Sequence, residues 1–386
     1  MNIAGHQVIS ATAPSAAPVA VGWEWADTAN QLLKLCTSIS PYTFVTMGGG
    51  TPAAHAASHA TGGSDPLSGE ANVNAATATK LATPRTINGV NFDGSANIVI
   101  PAGTTPFSLA QGRLTLQTGV PVSVTDQLAK TTLYFTPFRG SQIALYDGAS
   151  TWTVLTFAEL SLSLAGLTAS TPYDIWAYNN SGVVALEALI WTNITTRATA
   201  LTTQDGVLVK SGATTRRYLG TIHINASGGQ TDDGIELRFV FNYYNRVPRE
   251  LSRHDATASW GGSGSSSWAS TRAQSGNRVQ CVVGYQDARL ELIAMLQGNA
   301  AAGSILGTAI GEDSTSVPLA QGTRGQHYVA GADAVGISTV HRIEKLPAVG
   351  YHAYNWLEFS TAANTFYGSG SGGFSVRSGL IGSIEG

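Results

Sequence analysis

The side chains best suited to chemistry in this sequence are aromatic, and they gather in its last third. Trp260, Trp268, Tyr351, Tyr354, Trp356, Phe366 and Tyr367 fall there, and Tyr243 and Tyr244 lie just before it. A sugar ring stacks its apolar face on such rings while Asp, Asn and Arg bind its hydroxyls. Trp260 and Trp268 stand out because they flank the Gly/Ser-rich run GGSGSSS, where burial is least expected. Arg253, His254, Asp255 and Arg272 supply polar groups nearby. These residues, with Tyr351, Tyr354 and Trp356, form the expected sugar-binding set.

Two other patterns have a chemical reading. Asp232, Asp233 and Glu236 offer the paired carboxylates that glycoside hydrolysis requires. Asp232-Asp233-Gly234 is equally a good turn, with Glu236 free to pair with Arg238 or Arg249, and no catalytic residue is assigned. His55 and His59 stand four apart, a metal-binding spacing on a helix. Flanking Gly and Pro oppose a long helix, so a metal ring around a shared axis competes with hydrogen-bonded structural histidines or an exposed linker. No phosphate-binding Gly loop and no Ser-centred elbow is present. No cofactor is expected. Cys36 and Cys281 are too far apart in sequence for a disulfide framework and read as buried free thiols.

Composition narrows the class of protein. Only 12% of the 386 residues are charged and the net charge is -3, which leaves no basic footprint for nucleic acid or an anionic membrane. Hydrophobic residues make up 43%, so the chain can bury a core. With 44 Gly and 3 Met, it suits tightly packed β-structure with many turns. Residues 1–20 lack a basic start and contain Pro14 and Pro18, so no signal peptide is expected. No apolar run is long enough to span a bilayer. The expected site of synthesis is a cytosol.

The elements that must position these side chains are short strands. Trp23 and Trp25 open a hairpin that turns at Asp27–Asn30 and returns over Leu33–Thr37, with a further strand at Tyr42–Thr46. Residues 47–74 carry almost no large apolar side chains and cannot bury a core within one chain. Arg85–Ile87, Val90–Phe92 and Asn97–Ile100 read as three strands joined by Asn88-Gly89 and Asp93-Gly94 turns. From Phe107 onward, alternating runs recur, among them Gln142–Tyr146, Tyr173–Tyr178, Ile235–Tyr244, Arg278–Val283, Leu290–Leu296 and Ala353–Phe359. The run Arg253–Gly276 reads as a mobile loop. The expected organisation is a β unit over 1–46, an extended segment over 47–104, a β-sandwich over 105–250 and a second β-sandwich over 251–386.

Two stretches carry a family resemblance. HAASHATGGSDPL at 55–67 resembles the His-x-x-x-His, Gly-Gly-x-Asp-Pro-Leu signature of tailed-bacteriophage tail fibres. ATKLATPRTINGVNFDGSANIVIPA at 78–102 resembles a repeat of phage fibre shafts. The Trp-x-Asp-Thr at Trp25–Thr28, followed by Leu-x-x-Leu, resembles a short β unit of the same proteins, and Leu128–Pro248 is similar to virion domains of unassigned role. The resemblance implies an all-β, elongated homotrimer: an N-terminal fibre segment attached to another virion protein of the tail tip, baseplate or capsid, then C-terminal β-sandwich-like domains. It implies adhesion to a host-surface polysaccharide or protein receptor. The alternatives are a non-adhesive structural virion part and a polysaccharide-degrading spike.

Overall fold

Period-two alternation of apolar and polar residues, punctuated by turns that require positive φ, accounts for most of the observed elements. In the computed structural model, Asp205-Gly206 adopts φ of 51° and 81°, and Ser181-Gly182 adopts 53° and 92°. Positive φ at both central residues is the backbone of a tight hairpin turn. The structure describes residues 2–4, 7–14, 20–47, 81, 83–87, 90–98, 107–331, 334–371 and 378–386. All regular structure among them is β apart from one turn of 3-10 helix at Thr271–Ala273. No described helix is long and apolar enough to cross a membrane. The chain divides into two units, residues 1–103 and 104–386.

In the first unit, Asn2–Ala4, Gln7–Ser10, Glu24–Asp27, Leu32–Ile39 and Tyr42–Thr46 form a five-stranded sheet in chain order. The expected hairpin is present, with Glu24 opposite Leu35 and Asp27 opposite Leu32. Asp27 closes its turn by accepting hydrogen bonds from Asn30 Nδ2 and Lys34 Nζ, both at 2.9 Å. The core is small: Val8 and Cys36 are buried, with Trp23, Tyr42 and Phe44 packed on them. Arg85–Ile87 and Val90–Phe92 pair as expected. Asn97 and Ile98 are not in a strand, so the third expected strand is absent where the structure describes it. His55, His59 and the motif at 55–67 lie outside the described residues, as does much of 78–102.

The second unit begins with a lobe of three sheets. Gly112–Thr115, Thr132–Pro137 and Leu160–Ser163 make one, and Gln142–Tyr146 pairs with Trp152–Thr156 in another. The third is built on Pro172–Asn180 and Ala213–His223 and is six-stranded. Leu133, Phe135, Ile143, Ile175, Leu219 and Ile222 fill the space between them. Asn242 joins two of these sheets by accepting from the Leu114 N–H at 2.6 Å and donating to the Leu114 carbonyl at 3.1 Å.

The remaining strands build two facing layers. One holds Pro248–His254, Gly379–Glu385, Leu290–Ala300 and Ala334–Lys345. The other holds Arg278–Val283, Gly350–Ser360 and Ile305–Glu312. Thr323–Tyr328 pairs with a strand of each layer and links them. Alternate residues point inward: Val279, Cys281 and Val283 from one strand, Leu290, Leu292 and Leu296 from another, Tyr354 and Trp356 from a third. Each large apolar side chain buried this way is worth about 1.5–3 kcal/mol against solvent. Cys36 and Cys281 are buried free thiols, as expected, and burial pushes the Cys281 thiol well above its ordinary value.

Two expectations are corrected here. The run Ile235–Tyr244 is not one strand: Leu237–Arg238 pairs in parallel with Arg278–Val283, while Val240–Asn242 pairs with Ala213–His223. Phe239 sits between them, its N–H bound to the Asp232 carbonyl and its carbonyl to the His223 N–H, so the chain changes sheets there. The second concerns the break expected near Leu251. The sheet of the second layer continues through Leu237–Arg238 to Thr231–Asp233 and Gln127–Lys130, so hydrogen-bonded strands run across that point.

Candidate functional site

The chain from Arg253 to Gly276 is ordered by strand pairing rather than free. Ser259–Gly261 pairs with Thr365–Tyr367, and Trp268–Ser270 pairs with Leu357–Phe359 of the strand Gly350–Ser360. This overturns the mobile loop expected from its Gly/Ser content: the pairing partners lie about a hundred residues away and leave no local signal.

Asp255 organises the region. Its carboxylate accepts from Arg272 Nε at 2.8 Å, Asn277 Nδ2 at 2.9 Å and the Thr257 N–H at 2.9 Å. Burial alone would raise its pKa, but these donors outweigh it and hold the carboxyl well below the usual range. Arg253 belongs to the same network, donating from Nε to Asn277 Oδ1 at 3.3 Å and from Nη1 to Glu236 at 2.9 Å. His254 turns elsewhere, its Nδ1 on the Ser378 carbonyl at 3.1 Å.

Glu358 was not singled out by its sequence context, yet it joins this cluster through Arg272 and Trp260 and is only 4% exposed. It shares the inward register of Tyr354 and Trp356. Burial raises its pKa, opposed in part by hydrogen bonds from the Arg272 N–H at 3.0 Å and Trp260 Nε1 at 2.6 Å. Arg272 thus bridges two carboxylates whose environments pull in opposite directions, and it does so from a left-handed backbone at φ 57°.

The expected sugar-binding set therefore separates by role. Tyr354 and Trp356 are fully buried, with Tyr354 Oη on Glu312 Oε1 at 2.9 Å and Trp356 Nε1 on Thr308 Oγ1 at 3.0 Å. They are core residues and cannot stack on an external ring. Tyr351 stacks on His223 at 4.5 Å and 25°, which places it at the contact between the two lobes. Trp260 packs against Trp356 and Phe366 and is committed to Glu358. Asp255 is 3% exposed and belongs to the interior.

Trp268 is the member left facing outward. It lies opposite Phe359, their rings 5.2 Å apart at 47°, and both are half-buried. Phe359 is opposite Gly307, which is opposite Gln326. Directly opposed residues on paired strands share a face. The row Trp268, Phe359, Gly307, Gln326 therefore lies on the side away from the core, since Trp356 and Leu306 hold the alternate register inside. The indole reaches over the neighbouring strand: a Cβ on Gly307 would stand 3.4 Å from Trp268 Cη2 and 2.9 Å from Gln326 Cγ. Glycine is needed there so that the two side chains can close over the backbone. One step along, Tyr328 stands opposite Ile305 and is 60% exposed.

The carboxylates Asp232, Asp233 and Glu236 are all engaged. Asp233 pairs with Arg238 at 2.9 Å and Arg249 at 2.8 Å. Glu236 pairs with Arg253 rather than with either of those arginines. Asp232 accepts from the Ala129 N–H at 2.6 Å and Asn225 Nδ2 at 3.0 Å. Among the described residues no group of three or more metal-ligating side chains converges.

No family model matches the chain, and no curated protein does. Solved structures give distant likenesses. The insecticidal delta-endotoxin Cry8Ea1 of Bacillus thuringiensis aligns at 8% identity and TM-score 0.19 over 72% of this chain and 52% of its own. The stem and receptor binding domain of the spike protein P1 from bacteriophage PM2 aligns at 11% and 0.15 over 70% and 99%. A Cry1Da tryptic core variant from Bacillus thuringiensis aligns at 9% and 0.15 over 67% and 48%. The aligned region spans about half the length of the Cry8Ea1 chain. Likenesses at these scores carry no argument about this chain.

Proposed function

We propose that the protein is a phage-type fibre adhesin: a homotrimer that docks on another virion protein through its first unit and binds a host-surface glycan through the second. The observation that carries the glycan-binding part is the outward row Trp268, Phe359, Gly307 and Gln326, with Tyr328 beside it. Two half-buried rings offer an apolar platform, and Gln326 supplies both a donor and an acceptor for sugar hydroxyls. Neither needs a net charge, in keeping with a chain of only 12% charged residues. The fibre-like part of the reading is supported by the sequence motifs at 55–67 and 78–102 and by the weak core of the first unit.

The test is adsorption of particles carrying Trp268→Ala, with assembly of the protein into particles measured separately. Loss of one stacking ring costs about 1–3 kcal/mol per site, by analogy with base–aromatic stacking, and three copies multiply the loss of avidity. Adsorption is expected to fall at least tenfold. Unchanged adsorption by particles containing the variant would refute the platform. Release of reducing ends from host polysaccharide would instead identify a degrading spike.

A further inference from the structure

A cleft of about 540 Å³ opens where the two lobes of the second unit meet, on a surface remote in sequence from Trp268. Thr195, Arg197 and Leu201 line it from the first lobe, and Tyr285, Gln286 and Val349 from the second. Its volume falls within the usual range for small-molecule sites.

The walls are fixed to each other. The Tyr351 N–H donates to the Ile194 carbonyl at 2.9 Å. This close approach depends on Gly350, at φ 142°, where a Cβ would stand 2.9 Å from that same carbonyl oxygen. Arg197 also ties the lobes: Nε donates to Asp174 Oδ2 at 2.7 Å, and Nη2 donates to Tyr218 Oη at 3.3 Å and to the Gly284 carbonyl. The guanidinium also lies 4.5 Å from the Trp191 ring centroid. A cleft held this way loses little freedom when it is occupied.

The functional groups on the walls define an occupant. Arg197 is only 12% exposed, and its Nη1 has no protein hydrogen-bond partner among the described residues, yet is not sealed in the interior. Two N–H donors on a side chain that lines the cleft are thus left without a partner among the described residues. Tyr285 is 36% exposed, with its ring braced against Tyr243 at 5.3 Å and 72°. Gln286 and Thr195 are exposed beside it. Charge on the walls is already compensated: Arg197 by Asp174, and neighbouring Arg246 by a two-pronged contact to Asp287 at 2.7 and 2.6 Å. An aromatic face, a fixed donor pair, an amide and a hydroxyl, with no uncompensated charge, match a neutral hydroxylated ring.

We propose that this cleft binds a neutral pyranose, stacked on Tyr285 and hydrogen-bonded to Arg197 Nη1 and Gln286. The site stands on its own geometry and does not require the Trp268 platform.

Saturation-transfer NMR on the full chain tests it, using methyl α-D-glucopyranoside, methyl α-D-mannopyranoside and methyl β-D-galactopyranoside, with methyl β-D-glucuronide as the charged probe. At least one neutral glycoside is expected to receive saturation. Transfer should fall fivefold or more in Tyr285→Ala and in Gln286→Ala, both surface changes, and persist in Trp268→Ala. No transfer to any neutral glycoside, transfer unchanged in Tyr285→Ala, or stronger transfer to the glucuronide would each overturn the proposal. Transfer lost in Trp268→Ala but kept in Tyr285→Ala would assign the sugar to the outer sheet face instead.

Discussion

Trp260 donates its indole N–H to Glu358 Oε2 at 2.6 Å, and the backbone N–H of Arg272 donates to the same oxygen at 3.0 Å. A tryptophan bordering a Gly/Ser-rich run is thereby the cover of a buried carboxylate. Its neighbour Trp268 makes no such commitment and lies on the outer face.

The two tryptophans should therefore respond oppositely to truncation. Trp260→Ala opens a cavity against Trp356 and Phe366 and strips a donor from Glu358. A loss of about 2–4 kcal/mol is expected in urea unfolding. Trp268→Ala should cost about 1 kcal/mol or less in the same assay, as expected for a largely surface change, while reducing adsorption. Equal destabilisation by both changes would contradict this division of roles.

Asp255 and Glu358 predict opposite pH trends. The folded pKa of Asp255 lies below its ordinary 3.8, so its contribution is present at neutral pH and lost as pH falls below that value. Asp255→Asn should lower the melting temperature more at pH 7 than at pH 2.5. The folded pKa of Glu358 lies above its ordinary 4.5, so its contribution is fully present below 4.5 and lost as pH rises through the folded value. Glu358→Gln should flatten the decline of the melting temperature on that rise.

His352 is held between two acceptors, Asp313 Oδ2 at 2.8 Å from Nδ1 and the Ala348 carbonyl at 3.0 Å from Nε2. Only the doubly protonated ring donates to both. Burial would lower its pKa, but the Asp313 carboxylate outweighs burial and raises it above 6.5. Stability from this residue is thus full below pH 6.5 and lost as pH rises through the folded value. Titration of the imidazole by NMR should show the raised pKa, and Asp313→Asn should bring it down.

Full-length protein is expected to sediment as three chains, because the small Val8–Cys36 core of the first unit gives it little stability alone. A monodisperse monomer with residues 48–101 folded would exclude this.

Residues 104–386 are expected to melt in a single calorimetric transition. A fragment ending at residue 250 should lack cooperative melting, because Leu237–Arg238 would lose its partner strand Arg278–Val283. Two separate transitions would restore the boundary expected near Leu251.

Where alternation is clean, the strands were legible. Gln142–Tyr146, Arg278–Val283 and Val90–Phe92 have the same bounds in the structure. Ile305–Glu312 shows no clean alternation because Gly307 and Gly311 interrupt it, and Gly307 answers to what lies over it rather than to its own strand. The site was less legible than the fold. Arg253, Asp255, Arg272 and Trp260 are indeed brought together, but Glu358, which joins Trp260 to Arg272, is 98 residues from Trp260 and reads locally as a polar residue in an apolar run. Neighbouring Gly and Ser point to exposure, whereas burial here is decided by strands that arrive from far along the chain.

The continuous sheet from Gln127–Lys130 through Thr231–Asp233 and Leu237–Arg238 to Arg278–Val283 bears on where the chain can be spliced to another. A chimera that exchanged only the residues after 250 would have to match a foreign strand register to Leu237–Arg238, two residues whose parallel partners lie beyond the junction. A splice near residue 104 severs no strand of that sheet. Recombination, in the laboratory or between genomes, should therefore succeed at the earlier point and carry both lobes as a single heritable cassette.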